Sequence, residues 1–326
     1  MGKATAVAHP NIAFVKFWGK ADEALNLPAT PSLSMNLAAL TTVTTVEYRP
    51  GWRKDAITID HQPVSGAAWK RVVAHLDRVR ALAGINDRAQ VVSVNNFPVG
   101  TGLASSASGF AALSLAATRA AGLELSEAAL SRLARLGSGS ACRSVPGGFT
   151  LWEGDTDEIS WARQVAPPEH WDLQDVVAVV EHRPKAVSSS TGHKLAQTSP
   201  FYAARLAWVP QLLAAAMEGI QRRDLTRLGT AAEADALAMH GVMMTSRPPL
   251  FYWQPATVQV MQAVRAWREE GLPVYFTIDA GPNVHCLCLP GAAGEVETRL
   301  RNLPGVQSVL VSGPGGGVRL TDRHLF

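Results

Sequence analysis

The chain has 326 residues, of which 47% are hydrophobic and 17% are charged; this composition is ordinary for a globular protein and excludes a disordered or low-complexity chain. Its 30 basic and 27 acidic side chains leave a formal net charge of +3. The basic residues are scattered, and we interpret the pairs Arg78 with Arg80 and Arg222 with Arg223 as solvated helix faces. We therefore expect no nucleic-acid partner.

The first half of the chain predicts short strands followed by amphipathic helices. Strand-like runs, separated by turns containing proline or glycine, lie at 5–8, 41–47, 56–59 and 90–94. Apolar residues at helical spacing and runs of good helix formers predict helices over 65–83, 111–121 and 126–137. Two further strands are expected at 147–152 and 176–180.

The second half predicts a separate set of helices and strands. Its first segment, 182–199, is polar and rich in serine, which favours a loop over a site or a domain junction. Helices are predicted over 200–219, 225–240, 255–270 and 294–300, and strands over 274–278, 285–289 and 307–311. We expect an α+β fold in two lobes with a cleft between them, formed by domains 1–180 and 181–326.

The most informative segment of the chain is Asn95–Phe110, which places three glycines and three serines between a strand-like and a helix-like run. A helix begins there, and its unpaired backbone N–H groups favour an anion. The predicted phosphate-binding residues are Gly100, Gly102, Leu103, Ala104, Ser105 and Ser106. A serine-capped glycine turn is the alternative. The segment lacks the Gly-Lys-Ser/Thr ending of a Walker loop.

Two lysines near the amino terminus, Lys16 and Lys20, lie four residues apart among apolar side chains. A buried ammonium group without a partner is costly, so each lysine either extends to water or binds a negative partner. The sequence leaves both alternatives open.

Two later segments carry polar groups suited to anion binding or proton transfer. Gly137–Gly148 contains Ser138, Ser140 and Arg143; its alternative interpretation is a linker that ends a helix. Asp279 follows a hydrophobic strand, where a carboxylate often accepts hydrogen bonds from a turn. If Asp279 faces Lys16 across a cleft, it can instead orient or deprotonate a hydroxyl group.

Taken together, these motifs resemble one family. The pattern Pro-x-Gly-x-Gly-Leu-x-Ser-Ser-Ala, beginning at Pro98, resembles the ATP-binding motif of the GHMP kinase superfamily. That motif and three others together resemble the mevalonate diphosphate decarboxylase family. The three are Asn-Ile-Ala-x-x-Lys-x-Trp-Gly-Lys from Asn11, Gly-Ser-Gly-Ser-Ala-Cys-Arg-Ser from Gly137 and Asp-Ala-Gly-Pro-Asn from Asp279. The resemblance covers nearly the whole chain.

The resemblance implies a GHMP fold and an ATP- and Mg²⁺-dependent decarboxylation of a 5-phosphorylated mevalonate through phosphorylation of its 3-hydroxyl group. By position, Asp279, Lys16 and Arg143 would be catalytic, with Arg143 also holding the substrate carboxylate. The other implied substrate-binding residues are Asn11, Phe17, Lys20, Ser138, Ser140, Ser190, His193 and Lys194. The phosphate loop would bind ATP, and Ser106 would contact Mg²⁺.

One departure from the family pattern bears on the substrate. Phe17 replaces a tyrosine of the usual Lys-Tyr-Trp-Gly-Lys motif, and the lost hydroxyl group is worth about 0.5–1.5 kcal/mol. We expect the diphosphate as substrate. The alternatives are the monophosphate, which the related phosphomevalonate decarboxylases convert to isopentenyl phosphate, and the use of both substrates. More distant alternatives are a kinase that stops at the 3-phosphate and a nucleotide-binding regulatory protein.

The sequence also carries expectations about location and assembly. The amino terminus lacks an apolar signal-peptide core and no long uncharged apolar run occurs, so we expect a cytoplasmic protein without a membrane partner. Apolar helices after Pro200 favour a homodimer. The odd number of cysteines, three, favours structural thiols.

Overall fold

The computed structural model describes residues 2–97, 105–182 and 187–326. Its strands are β1 (Lys3–Ala8), β2 (Asn11–Val15), β3 (Lys20–Asp22), β4 (Leu27–Pro28), β5 (Ser32–Asn36), β6 (Thr42–Arg49), β7 (Ala56–Ile59), β8 (Gln62–Pro63), β9 (Arg88–Asn95), β10 (Phe149–Glu153), β11 (Trp161–Ala166), β12 (Gln174–Val179), β13 (Val274–Thr277), β14 (Val284–Cys288), β15 (Ser308–Ser312) and β16 (Arg319–Thr321). Its α-helices are α1 (Gly66–Ala83), α2 (Ser105–Ala120), α3 (Glu127–Gly137), α4 (Ser189–Leu195), α5 (Tyr202–Arg222), α6 (Leu225–Thr245), α7 (Pro255–Glu269) and α8 (Pro290–Arg301).

Three main sheets organise the two lobes. The first has the strand order β16-β1-β6-β9-β7-β8, the second β11-β10-β5-β2, and the third β13-β14-β12-β15. Strand β7 runs parallel to β9, whereas the other neighbours pair antiparallel. Strand β12 lies in the third sheet and β16 returns to the first, so the predicted division at residue 180 separates β12 from the sheet in which it pairs.

Local sequence explains where several helices begin and end. Helix α1 buries Val72, Leu76 and Val79 along one face and ends at Gly84, whose φ of 65° allows its N–H to close on the Arg80 carbonyl. Helix α3 begins after Ser126, whose hydroxyl oxygen accepts the Ala129 N–H. These contacts satisfy backbone groups that a helix end leaves unpaired.

Separate cores support the lobes and bring them together. Helices α1, α2 and α3 pack on the first sheet, and α7 and α8 pack on the third. A further core joins the second sheet to α5, α6 and the third sheet through residues such as Phe14, Val209 and Leu228. Strand β2 thereby lies against helices α5 and α6 of the other lobe, and the chain that follows β2 enters the space between the lobes.

Most predicted elements are confirmed, with shifts at their ends. The predictions missed the short helix α4 inside the serine-rich segment and seven strands, namely β2, β3, β4, β5, β8, β11 and β16. The three cysteines, Cys142, Cys286 and Cys288, are buried and unpaired, which confirms structural thiols. No described helix has the length and apolar character needed to cross a membrane.

Candidate active site

A cavity of about 480 Å³ opens between the lobes. Its lining comes from the chain after β2, from helix α1, from the start of α2, from the turn after α3, from α4 and from the loop after β13. The lining includes five cationic side chains and two carboxylates, namely Lys16, Lys20, Arg71, Arg78, Arg143, Glu23 and Asp279. This excess of positive charge suits a strongly anionic ligand.

An ion pair between Lys16 and Asp279 lies at the centre of the lining. The Lys16 Nζ atom is 2.7 Å from Asp279 Oδ1 and donates a second hydrogen bond to the Ala13 carbonyl at 2.5 Å. Lys16 is buried, whereas 24% of the Asp279 side chain is exposed to the cavity. The lysine therefore binds a negative partner and does not extend to water, and the carboxylate stays accessible to a ligand.

The surroundings of Asp279 keep its carboxylate ionised. Burial by itself would raise the pKa of Asp279, but the charges of Lys16, His285 and Arg143 hold that pKa below its ordinary value. His240 lies within hydrogen-bonding distance of the Asp279 carbonyl, 3.1 Å away, and burial lowers the pKa of His240 to about 4. Because the imidazole is neutral near pH 7, it donates to this carbonyl through Nε2.

Arg143 donates its hydrogen bonds to neutral acceptors. It lies in the turn after α3, where Nε contacts Asn11 Oδ1 at 3.2 Å and Ser34 Oγ at 3.1 Å, and Nη1 contacts Ser32 Oγ at 2.7 Å. Among the described residues it has no ion-pair partner, and burial lowers the pKa of the guanidinium group. An anionic ligand would supply the missing countercharge, so the site fits a carboxylate or a phosphate.

A second group of polar residues surrounds the side of the cavity near α1 and α3. Lys20 pairs with Glu23 at 3.0 Å, and the Ser106 hydroxyl at the start of α2 is 3.2 Å from the Ser138 hydroxyl. Arg71 donates from Nε and Nη2 to the Gly137 carbonyl. These contacts place the predicted phosphate-loop serine next to the serine-rich turn.

Phe17 and His193 form the wall beside α4. Their ring centroids are 4.2 Å apart, and Phe17 also packs edge-on against Trp152 at 4.6 Å. The His193 Nδ1 atom accepts the Gly19 N–H at 3.0 Å, which leaves the proton of a neutral imidazole on Nε2. A methyl group on Gly139 would lie 2.5 Å from the Phe17 ring, so this glycine allows the ring its position.

The structure brings most of the predicted site residues to one cavity. Its lining contains Lys16, Phe17, Lys20, Ser105, Ser106, Ser138, Ser140, Arg143, Ser190, His193 and Asp279. Asn11 lies behind Arg143 and supports it, and Lys194 is exposed on α4; neither side chain lines the cavity. Gly100, Gly102, Leu103 and Ala104 lie outside the described residues.

Some residues of the site were missed or misread in the sequence. Arg78 lines the cavity, and Arg80 is buried against Asp55, so the prediction that both form a solvated helix face is wrong. Arg222 and Arg223 are exposed, as predicted. The sequence signal for this wall of the cavity is the helical spacing of Arg71, Ala74 and Arg78, which places them on one face of α1.

The described residues contain no cluster of three or more histidine, cysteine or acidic side chains that could hold a metal ion. A magnesium ion does not require one, because Mg²⁺ keeps several water ligands and is bound largely by substrate phosphates. The Ser106 hydroxyl faces the cavity and fits such a site as one oxygen ligand.

Comparisons with known proteins agree with this geometry. Residues 8–162 match the diphosphomevalonate decarboxylase-like N-terminal domain, and residues 175–307 match the mevalonate 5-diphosphate decarboxylase C-terminal domain. The chain is 35% identical to phosphomevalonate decarboxylase of Haloferax volcanii over 322 residues, which cover 98% of each chain.

Solved structures show the same similarity. The crystal structure of mevalonate diphosphate decarboxylase from Staphylococcus aureus superimposes with a TM-score of 0.94, 38% identity and 98% coverage of both chains. The structure of MDDEF in complex with MVAPP, AMPPCP and magnesium gives a TM-score of 0.93 with 40% identity, over 98% of this chain and 99% of that one.

Proposed function

This chain belongs to the diphosphomevalonate decarboxylase family of the GHMP fold, and from that membership we propose that it catalyses the ATP-dependent decarboxylation of (R)-5-diphosphomevalonate. The products are isopentenyl diphosphate, ADP, phosphate and CO₂. The observation that carries the proposal is the Lys16–Asp279 ion pair, which faces the same cavity as Arg143 and the serines at 106 and 138.

Asp279 acts on the 3-hydroxyl group of the substrate. Its lowered pKa makes it an ionised hydrogen-bond acceptor at neutral pH, so it orients the hydroxyl oxygen toward the γ-phosphorus of ATP. The proton moves to Asp279 as the new O–P bond forms and the bond to ADP breaks. Lys16 keeps the carboxylate in place and offsets negative charge at the reacting phosphoryl group.

Arg143 acts on the substrate carboxylate. Once the 3-phosphate leaves with the C–O bond electrons, the electron-deficient tertiary carbon receives the electron pair of the bond to the carboxylate. CO₂ departs and the alkene forms. A guanidinium group held by Asn11 and the serines at 32 and 34 fixes the carboxylate in the orientation that this cleavage needs.

ATP and Mg²⁺ fit the remaining part of the site. Ser105 and Ser106 at the start of α2 would hold ATP phosphates, and Ser106 would also contact Mg²⁺. The metal ion neutralises phosphate charge when bound. Lys20, Ser138, Ser140, Ser190 and His193 would bind the phosphorylated end of the substrate.

The phosphomevalonate alternative has specific support. Phe17 lacks the hydroxyl group of the family tyrosine, and a relative with 35% identity is named a phosphomevalonate decarboxylase. The diphosphate is favoured because Arg71 and Arg78 add two cations that have no carboxylate partner among the described residues. A second phosphate supplies further negative charge for them.

One experiment tests both levels of the proposal. Purified protein is incubated with ATP, Mg²⁺ and either 5-phosphomevalonate or 5-diphosphomevalonate, and ADP and CO₂ are measured together. We expect equal amounts of both products and a higher kcat/KM for the diphosphate. ADP without CO₂ would contradict decarboxylation and favour a 3-kinase, whereas a higher kcat/KM for the monophosphate would contradict only the assigned substrate.

We also propose a cytoplasmic homodimer. Phe201 and Trp208 on and beside α5 are 56% and 43% exposed, which supports a contact surface there. Light scattering coupled to gel filtration tests this assembly, and a monomeric mass at micromolar concentration would contradict it.

A further inference from the structure

The backbone of Lys16 is bound by a buried ion pair that no part of the proposed chemistry uses. Strand β2 ends at Val15, its last residue paired with β5, so the peptide groups of residue 16 lie beyond the ladder. The Lys16 N–H donates to Asp235 Oδ2 at 2.6 Å, and the Lys16 carbonyl accepts from Arg205 Nη2 at 3.0 Å. The same Nη2 atom contacts Asp235 Oδ1 at 2.9 Å.

We propose that Arg205 and Asp235 are positioning residues, which fix the backbone of Lys16 so that its ammonium group meets Asp279 in the geometry required for phosphoryl transfer. This inference rests on the function proposed above. Lys16 is thus held at both ends: helices α5 and α6 bind its peptide groups, and Asp279 and the Ala13 carbonyl bind its Nζ atom.

The physical need for such a device follows from the lysine side chain. Its four-carbon stem has several rotatable bonds, so the side chain by itself does not fix the position of the Nζ atom. A misplacement of about 1 Å in a catalytic arrangement can lower a rate by about 100-fold. Fixing the N–H and the carbonyl of one residue restrains both the position and the direction of its Cα–Cβ bond.

A contribution to stability alone does not account for the pair. Removing two charges from water costs free energy that their attraction often fails to recover, so a buried ion pair is weak evidence for stability. Asp235 and Arg205 are 0% and 3% exposed. Their joint contacts to one residue, and that residue's contact with Asp279, connect the pair to the cavity.

A second buried pair in this chain provides a matched control. Arg80 binds Asp55 through two hydrogen bonds of 3.0 and 3.1 Å, and Asp55 Oδ1 also accepts the Ala89 backbone N–H at 2.7 Å. The Asp55 carboxylate is therefore bound as that of Asp235 is, shared by an arginine and a backbone N–H, and Arg80 also binds the exposed carboxylate of Asp77 at 2.6 Å. None of these four residues lines the cavity.

The decisive variants are Asp235→Asn and Asp55→Asn. An asparagine has one acceptor oxygen, whereas the carboxylate accepts hydrogen bonds from two donors. The amide NH₂ group of the asparagine must therefore face one of these donors, and that hydrogen bond is lost. Both variants are expected to lose stability, Asp55→Asn the less because Arg80 keeps its contact with Asp77. We expect kcat to fall by about 100-fold in Asp235→Asn, with the KM for ATP within about threefold, whereas Asp55→Asn retains kcat within about threefold.

The pH profile of kcat gives a second readout, because a loss of stability alone does not change this profile. Asp279 is faced by Lys16 from the chain after β2, by Arg143 from the turn after α3, by His240 from α6 and by His285 from β14. If Lys16 moves away, burial dominates and the acidic limb of the profile shifts to higher pH by about one unit. The limb of Asp55→Asn is expected to coincide with that of the unmodified protein.

Arg205→Lys keeps the charge balance and serves as the test if Asp235→Asn does not fold. A lysine offers a single nitrogen in place of the planar guanidinium, so we expect a fall in kcat of about tenfold and a smaller shift of the acidic limb. The proposal is overturned if the folded Asp235 or Arg205 variant matches Asp55→Asn in kcat and in pH profile. Absence of CO₂ release by the unmodified protein would instead overturn the proposed function.

Discussion

Replacing Asp279 with asparagine changes the side chain on which the proposed chemistry depends most. The substitution keeps the size and one acceptor oxygen but removes the negative charge 2.7 Å from Lys16 Nζ. The amide cannot accept the proton of the substrate hydroxyl group. We therefore expect kcat to fall by about 10²–10⁴, which is the usual contribution of a positioned acid or base. This corresponds to roughly 3–5 kcal/mol of transition-state free energy.

The same substitution should leave the fold largely intact. Removing one partner of a fully buried ion pair costs about 3–5 kcal/mol, but the Asp279 side chain is 24% exposed and Lys16 keeps its hydrogen bond to the Ala13 carbonyl. We expect the free energy of unfolding to fall by a smaller amount, about 1–2 kcal/mol. Binding of ATP should persist, because its predicted contacts lie in the other lobe.

The assay measures ADP and CO₂ under saturating ATP, together with ATP affinity by calorimetry. The matched control is Glu270→Gln, which removes a carboxylate of the same lobe whose partner, Arg299, lies 2.6 Å away and outside the cavity. This control should keep kcat within about threefold. The reasoning about Asp279 would be refuted by an asparagine variant that binds ATP and turns over as fast as this control.

Other predictions address the anionic end of the site and the response to pH. Arg78→Ala should raise the KM for the diphosphate by about tenfold, measured against the exposed control Arg222→Ala; an equal KM in both would exclude a contact with substrate. Phe17→Tyr should raise kcat/KM for the diphosphate by about three- to tenfold relative to the monophosphate, and an unchanged ratio would contradict this assignment. Burial lowers the pKa of His75 to about 3 and that of His240 to about 4, so both stay neutral in the folded chain while the unfolded chain binds protons below pH 6.5. Chemical denaturation should therefore show that the free energy of unfolding falls by about 1.4 kcal/mol per histidine as the pH is lowered from 6 to 5. His75→Gln should reduce that slope, and a slope unaffected by the substitution would argue against a neutral His75.

Several parts of the fold could be predicted from sequence because their causes are local. The spacing of apolar residues in α1 predicts a helix, and β-branched runs predict β6, β7 and β9. Strand β2 was missed because its five residues are all buried and show no alternation. Helix α4 was missed because a short polar helix has no apolar period to reveal it.

The candidate site was predicted unevenly for a related reason. Motifs with unusual composition identified Lys16, Arg143 and Asp279 one at a time, and the structure shows that all three line the same cavity. Arg78 and Arg80 form the opposite case, since two arginines separated by one residue on a helix have the composition of a solvated face. Only packing shows that one lines the cavity and that the other meets Asp55.

By itself, the sequence determined most helices, the longer alternating strands and the short segments that carry chemistry, because periodicity, turn residues and charged groups act over a few neighbouring positions. The tertiary structure alone decided which side chains meet. Lys16 lies 263 residues from Asp279 and 219 from Asp235, yet both contacts are under 3 Å. Such distances depend on how the sheets and helices of the two lobes pack. A buried charge without a partner is costly, and only the packing of the fold brings a partner from a distant part of the chain next to it.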